Sequence, residues 1–236
     1  MTAEPAPSTP PPSQPPMAPK RPHVRRIHGT ETPDPWFWLR DREDPETLAY
    51  LEAENAWTSA VLAPQAELRE TIFDEIRDRT QETDMSVPVA KDGWWYAVRT
   101  EEGRQYPIHV RSRDVDGRPG PDEQLILDEN VLAEGHDYFA LGGMAVSPDH
   151  RLVAYTVDTA GSEKYGLRVR EIGSGEDLPD RLEGLGYGLA WSADSTMVFC
   201  TLVDEAWRPD RVVRHRVGDV DDTDSPEVIL TEPDEK

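Results

Sequence analysis

A chain of 236 residues with 36% apolar and 31% charged residues has the composition of a folded protein of one or two domains. It has no run approaching the roughly 18–20 consecutive apolar residues that cross a bilayer, so we expect no membrane contact. The proline-rich N-terminus lacks an apolar signal region, which argues against secretion. Cys200, the single cysteine, allows no internal disulfide and favours a reducing, cytoplasmic location.

The chain is strongly acidic, with 47 acidic against 25 basic residues and a formal charge of −22. Phosphate backbones would repel it, which predicts no nucleic-acid partner. The same field would attract peptides rich in lysine and arginine, although acidity can equally serve solubility alone. Part of the charge lies near the C-terminus, where we expect a solvated edge loop that contains Asp219, Asp221, Asp222, Asp224, Glu227, Glu232, Asp234 and Glu235.

The first segment, residues 1–22, contains nine of the 22 prolines, separated mainly by small polar residues and alanine. Such a segment cannot bury apolar surface, and we predict a disordered, flexible extension. A ligand for an SH3-type domain is the alternative that its proline content leaves open.

The second segment, residues 23–85, has the pattern of amphipathic helices. Asp44 followed by proline predicts a helix N-cap and first turn, because the carboxylate accepts free amide hydrogens and proline has none. A second helix is predicted by Leu68, Ile72 and Ile76, which recur at every fourth position. These helices need a partner surface to cover their apolar faces.

The third segment, residues 86–236, consists of short β-like runs separated by turn signals such as Asp-Gly. An internal repeat aligns Ala145–Asp149 with Ala190–Asp194 and Leu152–Thr156 with Met197–Thr201, at an offset of 45 residues. A four-stranded propeller blade takes ~40–50 residues, and propellers close with ~4–8 blades. We therefore predict a mainly β fold with about three blades of a partial β-propeller after the helical segment.

A catalytic centre is not apparent in the sequence. A serine hydrolase of the α/β type needs Gly-x-Ser-x-Gly, and Ser162 and Ser174 fall instead in predicted hairpin loops. His136 and Asp137 are adjacent in one loop, where a structural role is expected rather than half of a triad. We predict no catalytic residues within this chain.

Cofactor and metal sites are not predicted either. The glycines of Gly184–Gly188 lack the spacing of a dinucleotide loop and favour the start of a strand. Cys200 lies in an alternating strand pattern and is expected to be a small buried apolar residue. No clustering of cysteine with histidine suggests metal ligation.

Several motifs, in chain order, carry a resemblance to a known family. They are Asp34–Asp41, Tyr50–Asn55, Thr83–Pro88, Gly93–Tyr96, Ile126–Asn130, Gly135–Phe139, Ser147–Asp149, Arg208-Pro209 and Val213–Gly218. Together they cover roughly residues 23 to 235 and resemble the prolyl oligopeptidase family of serine peptidases, most specifically its oligopeptidase B group.

The resemblance implies a seven-bladed propeller that caps an α/β-hydrolase domain, which this chain does not include. The helical segment 23–85 would pack on that domain and bury Trp36, Phe37 and Trp38, unless these aromatics form a free ligand-binding patch. The hydrolase domain would supply the nucleophilic serine, the aspartate, the histidine and the pocket for a basic residue.

The implied function is cleavage of short peptides after Arg or Lys, with the propeller excluding folded proteins. The chain alone is then expected to be inactive, and its partners would be short basic peptides and the missing C-terminal hydrolase domain. The alternative is a catalytically inactive, stand-alone β-repeat module that binds other proteins.

Overall fold

A computed structural model of the protein describes residues 14–219 and 226–234. The first 13 residues of the predicted proline-rich extension lie outside this range, as do Asp221, Asp222, Asp224 and Glu235 of the predicted acidic loop. The chain divides into two compact units, one up to Thr80 and one from Gln81 onward. Each unit is described by itself.

The first unit contains a short hairpin and two helices. Its elements are strand β1 (Val24–Ile27), strand β2 (Thr30–Pro33), a 3-10 turn (Phe37–Arg40), helix α1 (Pro45–Leu62), a second 3-10 turn (Ala63–Gln65) and helix α2 (Ala66–Asp78). The hairpin was not predicted, because its four-residue strands are exposed throughout and show no apolar alternation. His28 and Gly29, both with positive φ, form its tight turn.

Helix α1 begins where the sequence indicates. The Asp44 carboxylate accepts a hydrogen bond of 2.8 Å from the backbone N–H of Glu46, and Pro45 occupies the first helical position. A cap of this kind stabilises a helix by about 1 kcal/mol. Pro64 lies in the 3-10 turn that separates the two helices, because proline has no backbone N–H to continue the hydrogen bonding of α1.

The three consecutive aromatic residues before α1, Trp36, Phe37 and Trp38, contact other residues of the first unit. The ring of Phe37 stacks on His23 with centroids 3.7 Å apart, and the Trp38 indole donates to the carbonyl of Pro19 at 2.9 Å. Trp36 stays 45% exposed. The end of the proline-rich segment therefore contacts Trp38 and the residue that follows the segment contacts Phe37, a local arrangement that the sequence did not indicate.

The second unit is almost entirely antiparallel β-sheet. Its elements are β3 (Asp84–Met85), β4 (Val89–Lys91), β5 (Trp94–Thr100), β6 (Ile108–Val115), β7 (Arg118–Asp128), α3 (Glu129–Leu132), β8 (Ala140–Val146), β9 (Leu152–Asp158), β10 (Tyr165–Glu171), β11 (Leu182–Trp191), β12 (Met197–Val203), β13 (Pro209–Arg216) and β14 (Glu227–Thr231).

These strands form three four-stranded blades. Blade 1 is β4–β7, with β3 paired to the far end of β5. Blade 2 is β8, β9, β10 and the start of β11, which pairs with β10 at Leu182 and Leu185. Blade 3 is the end of β11, which pairs with β12 through Trp191, followed by β12, β13 and β14. One strand thus closes blade 2 and opens blade 3, and the glycine-rich segment Gly184–Gly188 makes this crossover.

The 45-residue repeat appears as the same turn in blades 2 and 3. The Ser147 hydroxyl accepts a hydrogen bond of 2.9 Å from the backbone N–H of Leu152 and donates one of 2.6 Å to Asp149. Ser192 makes the same two bonds, at the same two distances, to the residues five and two positions further along. The Ser-x-Asp motif therefore fixes the turn between the first and second strands of a blade.

The serine of this turn is expected to contribute measurably to stability. Ser147→Ala should lower the free energy of unfolding by about 1–2 kcal/mol, because it removes two hydrogen bonds at a side chain that is 1% exposed. Urea unfolding followed by tryptophan fluorescence measures this loss. Ser174→Ala, at an exposed turn, is the matched control, and equal losses in the two variants would contradict the assignment.

The core lies between neighbouring blades. One cluster joins blades 2 and 3 and contains Ala154, Tyr165, Leu167, Val169, Leu182, Leu185, Val198, Cys200 and Val213. A second joins blades 1 and 2 and contains Ile126, Leu127, Val153, Tyr155 and Ile172. Because successive side chains of a strand point to opposite faces, β9 contributes Ala154 to one cluster and Val153 and Tyr155 to the other. A strand buried on both faces explains the apolar run in its sequence.

Candidate functional site

The residues considered as catalytic candidates lie in separate loops. Ser162 is in the loop between β9 and β10, and Ser174 is in the turn after β10, where its hydroxyl donates to Glu171 at 2.9 Å. His136 and Asp137 are exposed in the segment between α3 and β8. Among the described residues, no hydrogen bond or ion pair joins Ser162 or Ser174 to His136 or Asp137.

Two histidines, the partly buried His109 and the fully buried His215, are each paired with a carboxylate. His109 lies 2.7 Å from Glu129, and His215 lies 2.7 Å from Asp180. The partners are 20 and 35 residues apart in the chain, so only the strand register, and no local motif, could have indicated them. Histidine–carboxylate pairs without an adjacent nucleophile orient and stabilise; they do not attack a substrate.

The Asp180 carboxylate is held in its charged form. Burial alone would raise its pKa, but hydrogen bonds from His215 and from the backbone N–H of Gly218, the latter at 2.7 Å, outweigh desolvation and lower the pKa below its ordinary value. The pair thereby ties the segment before β11 to strand β13. Its position inside the blades indicates a structural role.

Residues 14–219 and 226–234 contain neither a cluster of metal-ligating side chains nor a helix that could span a membrane. Within these ranges, no three histidine, cysteine or acidic side chains are grouped as metal ligands would be. None of the helices there is long and apolar enough to cross a membrane.

Cys200 is expected to be unreactive in the native protein. Burial in β12 raises the pKa of its thiol to about 12, so almost no thiolate exists at pH 8. Alkylation by iodoacetamide at pH 8 should therefore be at least ~100-fold slower than in urea-unfolded protein, where the thiol has a pKa of about 8.5. Mass spectrometry of the labelled chain measures both rates. Comparable rates would show that the thiol is accessible and contradict its burial.

The remaining candidate is the wall formed by the first strands of the blades. Strand β8 and the end of β11 open blades 2 and 3, and the Trp191 indole in β11 donates to the Ala145 carbonyl in β8 at 2.8 Å. In a propeller the blades surround a central channel. A wall of this kind can select molecules that pass along the channel by their size and charge.

The repeated four-stranded blades, with strand β11 passing from blade 2 to blade 3, define the second unit as part of a β-propeller. The family model for the N-terminal β-propeller domain of prolyl oligopeptidase matches residues 15–236. The chain therefore belongs to this family of peptidase domains. The mainly β fold, the partial propeller and the family resemblance predicted from the sequence are confirmed.

Curated relatives are similar along most of this chain. It is 40% identical over 223 residues to dipeptidyl aminopeptidase BI of Pseudoxanthomonas mexicana, which covers 86% of this chain and 30% of the relative. It is 34% identical over 224 residues to protease 2 of Moraxella lacunata, covering 93% and 32% respectively. The chain thus spans about a third of the length of these relatives.

Solved structures show the same architecture. Oligopeptidase B from Leishmania major matches with a TM-score of 0.85 and 29% identity, over 94% of this chain and 33% of that protein. Oligopeptidase B from Trypanosoma brucei matches with a TM-score of 0.82 and 32% identity, also over 94% of this chain and 33% of the other.

Proposed function

We propose that this chain is the N-terminal propeller portion of a serine-type oligopeptidase that cleaves short peptides after Arg or Lys. The observation that carries the proposal is the match of 94% of the chain, at a TM-score of 0.85, to about a third of an oligopeptidase B. A relative named protease 2 is similar over the same region. The propeller would admit short peptides and exclude folded proteins.

The domain organisation follows from the same proposal. Residues 1–22 are an extension, residues 23–85 pack on a hydrolase domain, and residues 86–236 are the first blades. Helices α1 and α2 support the middle assignment, because they leave apolar side chains exposed to solvent: Leu48, Leu51, Leu68, Ile72, Phe73 and Ile76. An exposed apolar patch of this kind marks a surface that another protein or domain covers.

The chemistry would belong to the hydrolase domain and the selection of substrates to the propeller. The serine nucleophile, its general-base histidine and the orienting aspartate would come from the hydrolase domain.

The formal charge of −22 on this chain would favour the approach of basic peptides and repel acidic ones. Steering of this kind is weakened by salt, so kcat/KM for basic peptides is expected to fall as ionic strength rises.

An exopeptidase is the second candidate, because the relative with 40% identity is named a dipeptidyl aminopeptidase. The two activities differ in whether the enzyme needs a free amino terminus two residues before the cleaved bond. An Arg-4-nitroanilide peptide with a blocked N-terminus, compared with a dipeptide 4-nitroanilide that has a free amine, therefore distinguishes them. Cleavage of the blocked peptide by the full-length gene product supports the endopeptidase.

Two measurements test whether catalysis lies outside this chain. An antibody against residues 87–236 should detect a native product far larger than 26.6 kDa. The 236-residue chain alone should neither cleave the peptides nor react with a serine-directed phosphonate. Phosphonate labelling at any serine of this chain would overturn the proposal. A native product of 26.6 kDa would favour the stand-alone module that binds other proteins.

A further inference from the structure

An unusual arrangement of cationic side chains lies on one face of blade 1. Trp94 in β5 is paired in register with Arg113 in β6, and Tyr96 is paired with Arg111. Both guanidinium groups lie over the Trp94 ring, each with its central carbon 3.8 Å from the ring centroid. Arg113 is exposed, whereas Arg111 is only 4% exposed.

The buried guanidinium of Arg111 has neutral hydrogen-bond partners. Its Nε donates to the side-chain oxygen of Gln124 at 2.9 Å, and one terminal nitrogen donates to the carbonyl of His150 at 2.6 Å. Among the described side chains, no carboxylate forms an ion pair with Arg111 or Arg113. Burial lowers the pKa of Arg111, but a guanidinium stays protonated in proteins. A buried charge without a counter-charge is costly, so an anion would stabilise this site.

Blade 3 shows how the same position is neutralised elsewhere. There Arg214 is in the third strand and is paired in register with Glu227 of the fourth strand, whose carboxylate accepts from the Arg214 Nε at 3.1 Å. In blade 1, Arg111 and Gln124 hold the corresponding third- and fourth-strand positions and are also paired in register. Blade 1 therefore has a neutral amide where blade 3 has a carboxylate. An external oxyanion would supply the charge that Gln124 lacks.

The arginines border a cleft between blades 1 and 2. The cleft has a volume of about 390 Å³, and His150 forms part of its far wall. Three carboxylates on its lining have other partners: Asp149 accepts from Ser147 and from a backbone N–H, Glu171 from Ser174, and Asp92 lies 3.7 Å from His150. The cleft is thus open to a ligand, and its own carboxylates do not neutralise the two arginines.

We propose that this cleft binds a small oxyanion, a carboxylate or a phosphate, through the guanidinium groups of Arg111 and Arg113, both of which lie over the Trp94 ring. Planar guanidinium groups bind such oxyanions through paired, charge-assisted hydrogen bonds. This proposal does not depend on the peptidase activity proposed above.

Calorimetric titration of the full-length gene product tests the site, with ionic strength held constant. Inorganic phosphate and N-acetylglycine, a model of a peptide carboxyl terminus, are the two probes, and the one that binds more tightly identifies the source of the anion. Gln124→Glu is the decisive variant, because it recreates the blade 3 pair and should weaken binding about tenfold or more without lowering Tm. Arg113→Gln should weaken binding about tenfold as well.

Arg118→Gln is the matched control, since Arg118 is an exposed arginine in β7 that does not border the cleft. Its affinity for the anion should equal that of the wild type. Absence of saturable binding of either probe up to about 10 mM, a concentration that fills a millimolar site, would overturn the proposal. So would equal weakening of binding by Arg118→Gln and Gln124→Glu, because it would show a general effect of net charge.

Discussion

Replacement of His215 by alanine is expected to lower the free energy of unfolding of the propeller by about 3–5 kcal/mol, because it leaves a buried carboxylate without its side-chain partner. His215 and Asp180 are both fully buried and lie 2.7 Å apart. The variant would leave the Asp180 carboxylate buried without its imidazole partner, although the backbone N–H of Gly218 would still donate to it. The pair also joins the segment before β11 to strand β13, so its loss weakens the contact between blades 2 and 3.

Urea unfolding of the full-length gene product at pH 7, followed by tryptophan fluorescence, measures this loss. His136→Ala is the control, because His136 is exposed in a loop and its removal should change stability by less than about 0.5 kcal/mol. Asp180→Asn separates charge from hydrogen bonding, since the amide oxygen can still accept from His215. A loss below about 1 kcal/mol in His215→Ala would contradict the role assigned to the pair.

The same pair gives stability a defined dependence on pH. Because the pKa of Asp180 is lower in the folded than in the unfolded chain, the unfolded chain binds more protons in the window between the two values. The contribution of Asp180 is therefore fully present above the unfolded pKa of about 3.9 and is lost as pH falls through the folded value. Asp180→Asn should show a smaller fall in stability than the wild type between about pH 5 and pH 3.

The parts of the fold that were predicted from the sequence depend on local chemistry. The Asp44 cap, the turn of blade 1 at Asp92-Gly93 and the serine turns at Ser147 and Ser192 are each specified within about five residues. Such motifs form the same local structure regardless of the rest of the chain, because their hydrogen bonds are local. The offset of 45 residues then places successive turns one blade apart. Local signals repeated at a fixed interval were therefore enough to predict a propeller.

The features that were missed depend on register between distant strands. The sequence shows Trp94 and Arg113 as ordinary members of two alternating strands, and only their pairing across β5 and β6 places the Arg113 guanidinium over the indole ring. The buried pair of Asp180 and His215 likewise spans 35 residues. A shift of one residue in register would move each of these side chains to the opposite face. Composition and periodicity do not specify register at that precision.

Leu167→Ala is expected to lower the free energy of unfolding by about 2–5 kcal/mol, because truncation of a fully buried leucine removes apolar contact and leaves a cavity. Leu167 lies in β10 with no exposed surface, in the cluster that joins blades 2 and 3. Leu125→Ala is the matched control: Leu125 lies in β7 and is 49% exposed, so its truncation should cost less than about 1 kcal/mol.

The comparison of these two leucines tests where the stability of the propeller resides. A propeller blade is thin, and its side chains can be removed from water only by the adjacent blade. Blade 2 packs against blade 1 on one face and blade 3 on the other, so truncation of its buried side chains should be costly. Similar losses for Leu167→Ala and Leu125→Ala in urea unfolding would contradict this. They would show that hydrogen bonding within each sheet, and not the core between blades, accounts for most of the free energy of unfolding.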